Sequence, residues 1–127
     1  MNHKVMKVLL SIKPKYAESI FDGSKKYEFR KAIFKNSNVK SVVVYASSPV
    51  QKVIGEFEIE KVLKASPNEL WSETKEFSGI TESFFNSYFG GREVGYAIKV
   101  KKVRRFKKPK CLKTFYKVTP PQSFCYI

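Results

Sequence analysis

Gly23-Ser24-Lys25-Lys26-Tyr27-Glu28-Phe29-Arg30 sets a lysine, a glutamate and an arginine at fixed offsets behind a turn glycine, a GxKxxExR pattern. Just upstream, Tyr16, Ala17, Ile20 and Phe21 recur at helical offsets within residues 15–21. Gly23 follows where a left-handed C-terminal cap belongs, so a short helix ending there is predicted. From Lys26 the period changes to two: Tyr27 and Phe29 alternate with Lys26, Glu28 and Arg30, the pattern of a half-buried strand. Glu28 and Arg30 therefore share a face. Lys25 has the opposite parity, but at the loop-to-strand junction its long stem reaches the same cleft. Three charged tips are expected around one spot. The residues alone also fit a blander arrangement, a solvated Glu–Arg pair beside an ordinary turn lysine.

Working outward, residues 7–12 form a mostly apolar run before Pro14 and predict a first strand with both faces covered. Asn36-Ser37-Asn38 marks a turn before a β-branched strand over residues 39–45, and a loop follows at 47–49. Residues 53–61 alternate, with Val53, Gly55, Phe57 and Ile59 on one face and Glu56, Glu58 and Glu60 on the other. Between residues 65 and 89 the period is helical. Ser66 caps a helix opening on Pro67, and Thr81 caps a second that carries Phe84, Phe85 and Tyr88. Gly90-Gly91 breaks it, and Val94, Tyr96, Ile98 and Val100 alternate through the next strand. Residues 111–118 and 123–127 read as two further short strands, divided by Thr119-Pro120-Pro121-Gln122. The order predicts an α+β fold: a mixed β-barrel of about six strands with short helices packed on it.

The octapeptide resembles the signature of the ASCH family, part of the PUA-like superfamily of small β-barrels. The likeness runs through most of the chain: the strand-helix-motif opening, Tyr45-Ala46-Ser47-Ser48-Pro49 before a Gly55-containing strand, and a helical insert before Gly95-Tyr96-Ala97-Ile98. The resemblance implies a single PUA-like domain over residues 1–127, with the motif in a cleft between barrel and helices suited to a nucleotide base. It carries Lys25, Glu28 and Arg30 into that cleft. Family members include a ribonuclease and a small amidohydrolase acting on acetylated cytidine. The amidohydrolase depends on the motif lysine, matched by Lys25. It has threonine where this chain has Glu28, and its catalytic glutamate lies in the helical insert, near Glu73 and Glu76.

The 127 residues are 43% hydrophobic and include 11 Phe and 7 Tyr, enough for one compact core. Twenty-five Lys and Arg against 11 Asp and Glu give a net charge of +14, which attracts polyanions by counterion release. The excess gathers late, in Lys99, Lys101, Lys102, Arg104, Arg105, Lys107, Lys108, Lys110 and Lys113. It reads as a basic strip for a phosphate backbone, or as an edge strand guarded by lysines. Pro109 and the strand-like alternation argue against an interfacial membrane helix.

No apolar run approaches a membrane span and Met1-Asn2-His3-Lys4 opens no signal peptide, so a cytoplasmic protein without membrane contact is expected. Cys111 and Cys125 lack metal-ligand spacing and are expected to be free thiols. With Asp22 the only aspartate and His3 the only histidine, a Ser-His-Asp triad, a two-aspartate metal site and a histidine ribonuclease pair find little support. The Glu56, Glu58 and Glu60 row reads as a solvated face. No metal and no cofactor are expected.

Two function classes compete. In the first, the partner is RNA or a modified nucleotide: Lys25, Glu28 and Arg30 read a splayed base, and Lys99, Lys101, Arg104 and Arg105 follow the phosphates. Tyr45 and Trp71 are the stacking candidates, and Ser47, Ser48 and Ser123 the hydrogen-bonding ones. In the second, the protein is an RNA-directed hydrolase with Lys25 and Glu28 as catalytic residues. Flanking Lys26 and Arg30 would then lower the Lys25 pKa toward neutrality.

Overall fold

The computed structural model describes residues 6–127, so His3 and the reading of the extreme N-terminus lie outside the described residues. Strand β1 (Met6–Ile12) leads into helix α1 (Pro14–Phe21) and the motif strand β2 (Tyr27–Arg30). Strands β3 (Val39–Ala46) and β4 (Lys52–Ala65) follow, then helices α2 (Pro67–Thr74) and α3 (Glu82–Phe89), joined through a single 3-10 turn at Lys75–Phe77. Strand β5 (Gly95–Lys110), helix α4 (Leu112–Tyr116) and strand β6 (Cys125–Tyr126) complete the order.

The six strands make one mixed sheet, β2-β5-β4-β3-β1-β6. Among the described residues only the β1–β3 pair is parallel. The sheet curls into a half-barrel whose two ends meet at one side chain. From β2, Arg30 Nη2 donates to the Ser11 carbonyl of β1 at 2.9 Å, and Nη1 donates to the Ser123 carbonyl ahead of β6 at 3.3 Å. The concave face packs Val8, Leu10, Val42, Val44, Phe57 and Ile98 against Ala17 and Ile20 of α1. The convex face buries Leu9, Val43, Tyr45 and Val53 beneath Leu112 of α4. Both faces of β1 are covered, as its unbroken apolar run requires. A third cluster joins Phe29 and Ala97 to Leu70, Phe85 and Phe89 of α2 and α3.

The end of the chain corrects one expectation. Residues 111–118 form no strand: α4 occupies Leu112–Tyr116 and stops at Lys117, which adopts a left-handed φ of 56°. Leu112, Phe115 and Tyr116 fit helical spacing while Leu112, Tyr116 and Val118 fit alternation, a known ambiguity of short apolar runs. The last strand also shrinks to two residues. Register adds a second correction. An irregularity between Val53 and Gly55 turns Val53 to the convex face and Ile54 to the concave one, so Val53 does not share the face of Phe57 and Ile59. Finally, β4 and β5 run well past their predicted ends because they pair with each other from Ala65–Gly95 to Val53–Lys110.

Candidate functional site

Helix α1 begins with Pro14 at its first turn, where a missing N–H costs nothing, and ends at Asp22. Gly23 then adopts φ +89°, a conformation that suits glycine. The Asp22 carboxylate accepts from the Ser24 N–H at 2.8 Å, and the Ser24 side chain together with that N–H holds the carboxyl below its usual range. The Lys25 N–H donates back to the Ser19 carbonyl at 3.0 Å, and the Lys26 N–H to Phe77 at 2.9 Å. These bonds turn the chain so that the Lys25 side chain runs inward.

Lys25 is only 2% exposed. Its Nζ donates to the Ser78 carbonyl at 2.6 Å and lies 5.4 Å from the Tyr16 ring centre and 4.9 Å from that of Phe29. Burial lowers its pKa from 10.5 to about 8, and the Glu28 charge offsets part of that shift. The cause is therefore desolvation, not the flanking Lys26 and Arg30. Gly79 makes room for the stem: it sits at φ +69°, and a Cβ there would fall 2.5 Å from the Lys25 Cβ and Cγ. Gly79→Ala is expected to destabilise the protein by about 1–3 kcal/mol through strain and overpacking, and to displace Lys25. Thermal melts read the first effect. Reactivity of Lys25 toward an amine-selective reagent, followed by mass spectrometry, reads the second.

Glu28 is 8% exposed, and its Oε2 accepts from Arg30 Nε and stands 3.1 Å from Nη2. Glu28, Arg30 and Lys25 open onto one cleft of about 200 Å³, walled by Tyr16, Phe29, Ile80, Phe84 and Tyr88, with Ser11 and Lys13 at its edge. That volume lies below the roughly 300 Å³ at which drug-sized sites begin, so it suits one ring system. Phe84 and Tyr88 stack at 10° with centroids 6.4 Å apart, and the Tyr88 hydroxyl donates to the Phe29 carbonyl. Lys31 lies over the Tyr88 ring. A larger hollow of about 1070 Å³ on the convex face, lined by Tyr45, Leu112, Val118 and Pro120 among others, contains none of the motif. Charge converges on the smaller site, which is the better candidate for chemistry.

The remaining predicted residues are dispersed. Tyr45 is buried on the convex face, and Trp71 packs on Phe85 behind the cleft at 5.0 Å. Ser47 donates its N–H to the Ile12 carbonyl, and neither it nor Ser48 lines the cleft. Glu73 and Glu76 also lie outside its walls. Lys99 pairs with Glu60 at 3.0 Å, and Arg105 makes a two-pronged pair with Glu18 at 2.6 Å. Lys101 and Arg104 have no carboxylate within ion-pair distance among the described residues. The aromatic walls come instead from Tyr16, Phe84 and Tyr88. The i, i+4 spacing of Phe84 and Tyr88 is the sequence signal that marks them as one face. Nothing in the sequence singles out Ser78, whose contribution is a carbonyl. Among the described residues no cluster of three His, Cys, Asp or Glu could hold a metal ion, and no helix is long and apolar enough to cross a membrane.

A curled six-strand sheet with helices over one open side and a buried lysine in the cleft defines a PUA-like α+β protein. Residues 10–110 match the family model of the ASCH domain, and the chain belongs to that family. An ASCH protein from Zymomonas mobilis superposes with a TM-score of 0.86 at 27% identity, over 95% of this chain and 87% of that one. An ASCH domain-containing ribonuclease from the same organism is 32% identical over 85 residues, 67% of this chain and 57% of the relative. Two Ureaplasma parvum proteins also match over 94% of the chain: an ATP synthase subunit alpha at 35% identity and a large ribosomal subunit protein uL22 at 28%. The chain spans 15% and 39% of their respective lengths.

Proposed function

We propose that this ASCH protein binds single-stranded or locally opened RNA and seats one unstacked base in the Lys25–Glu28–Arg30 cleft. The observation that carries this reading is the cleft itself, one ring in size, with aromatic walls on α1 and α3 and oriented charges at its end. Single-stranded RNA is read by splaying bases onto aromatic side chains and bonding their polar edges. Glu28 offers an acceptor to a base amino group, and Lys25 offers donors to a base carbonyl. The Zymomonas ribonuclease supports an RNA setting. The Ureaplasma names point to unrelated assemblies and describe proteins of which this chain spans a minor part, so they carry nothing about its partner.

Fluorescence anisotropy with single-stranded RNA tests the proposal. Tyr88→Ala is expected to weaken binding about tenfold, in line with the loss of one base stack. Affinity should fall steeply with salt. Four neutralised phosphates correspond to a loss of roughly fiftyfold over a fourfold rise in salt, given a slope of about −0.7 per phosphate. Salt-independent or absent binding would sink the proposal.

A second reading is RNA hydrolysis. It is favoured by the ribonuclease relative and by a lysine whose pKa of about 8 leaves some neutral amine near neutral pH. Mass spectrometry of RNA incubated with wild type and with Lys25→Met separates the two readings. Cleaved strands or a lost acyl group seen only with wild type identify an enzyme and its bond. Unchanged RNA that copurifies with the protein identifies a reader.

A further inference from the structure

The basic run of β5 does not form one strip. Residues of a strand alternate between faces, and pairing to β4 fixes which face each takes. Val103 opposes the concave Phe57, and Arg105 lies over Phe21 of α1. Lys102 and Arg104 oppose Glu58 and Glu56, and Phe106 belongs to the convex cluster. Lys102 and Arg104 are thus presented on the side of the sheet away from the motif cleft.

On that convex side the cations sit on aromatic rings and not on carboxylates. Arg104 lies 5.3 Å and Lys110 4.3 Å from the Phe106 ring centre, and Lys110 lies 5.7 Å from that of Phe115. Phe115 projects from α4 and is 62% exposed, the most exposed large apolar side chain among the described residues. Leu112, one turn earlier on the same short helix, is buried and anchors it. Of the nearby acids, Glu56 is held by Lys7 at 3.2 Å, which leaves Glu58 opposite Lys102. Neither Arg104 nor Lys110 has an ion-pair partner among the described residues.

We infer that Phe106, Phe115, Arg104 and Lys110 form a second contact surface for single-stranded RNA, on the convex face and separate from the cleft. One exposed ring, Phe115, beside a half-buried one, Phe106, with cations that have no carboxylate partner among the described residues, matches a strand that offers both base faces and phosphates, the combination that sequence-tolerant single-strand sites use. An acidic protein would satisfy the cations but leaves the outward ring of Phe115 without a specific role. This inference rests on the RNA reading of the protein and extends it: a longer strand engages both faces, and a short one only the cleft.

The experiment compares a tetranucleotide with a longer single-stranded RNA, using wild type, Lys25→Met and the double variant Phe115→Ala/Lys110→Ala. The convex substitutions are at the surface and are expected to leave the melting temperature unchanged. They should weaken the longer RNA about tenfold and leave the tetranucleotide unaffected. Lys25→Met should weaken the tetranucleotide most. Equal affinity of the double variant and wild type for the longer RNA overturns the second surface while leaving the cleft reading intact. Loss of the convex contribution in the double variant, with no effect of Lys25→Met at either length, upholds the second surface and overturns the cleft. Absence of binding at both lengths overturns both.

Discussion

Lys25→Met is expected to cost RNA recognition heavily and stability not at all. The methionine keeps the volume of the lysine stem beside Gly79 but removes the ammonium that donates to Ser78 and faces the cleft. Loss of a charge-assisted hydrogen bond to the ligand is worth about 1.5–3 kcal/mol, so affinity should drop about tenfold to a hundredfold. The stability arm follows from the pKa. The folded state holds Lys25 at about 8 and the unfolded chain near 10.5, so between those values the unfolded chain binds more protons. Wild-type stability therefore rises with pH through that window and is lowest below pH 8, where the buried amine must carry its charge. A shift of that size corresponds to about 3 kcal/mol. Denaturant titrations across the window should show wild type gaining this increment relative to Lys25→Met. Parallel pH profiles for the two proteins would mean that Lys25 is not held in a dry site. A residue that weakens the fold where it serves binding fits a functional role.

Arg30→Ala has the second large expected effect, a stability loss of about 3 kcal/mol. Its guanidinium joins the two ends of the curled sheet through Ser11 and Ser123 and neutralises a Glu28 that is almost fully enclosed. Removing it leaves a buried carboxylate unpaired and the half-barrel without its tie. Arg30→Lys should rescue little, because one ammonium cannot span acceptors that a planar fork reaches together. Adding Glu28→Gln to Arg30→Ala should restore part of the loss by removing the stranded charge. Urea unfolding of wild type, Arg30→Ala, Glu28→Gln and the double variant measures the coupling. Additive effects would show that the two side chains act independently. Arg30 thus works as structure as well as lining, and affinity losses in its variants must be read against their stability.

Much of this was legible in residue order. Alternation marked Tyr27–Arg30, helical spacing marked residues 15–21, Gly23 marked the turn between them, and Ser66 and Thr81 cap the helices they were expected to cap. The extra length of β4 and β5 was not visible, because the lysines and glutamates along them carry weak strand signals and it is mutual pairing that keeps them extended. Residues 111–118 failed for the opposite reason, since a five-residue helix offers too few positions for one period to outweigh another.

The GxKxxExR octapeptide by itself determined the family, the helix-turn-strand geometry and which three charged residues belong together, because those properties depend on short-range spacing. Composition likewise set the net charge of +14, which attracts polyanions. Only the tertiary structure decided what those residues experience. Lys25 becomes a dry, weakly basic amine because Ser78 and Gly79, more than fifty positions away, close over it. Arg30 becomes a barrel tie because strands distant in sequence bring two carbonyls to its fork. The basic run divides between two faces because its pairing to β4 sets where each side chain points. Desolvation, bond geometry and sheet register all depend on contacts between remote segments, which residue order alone does not specify.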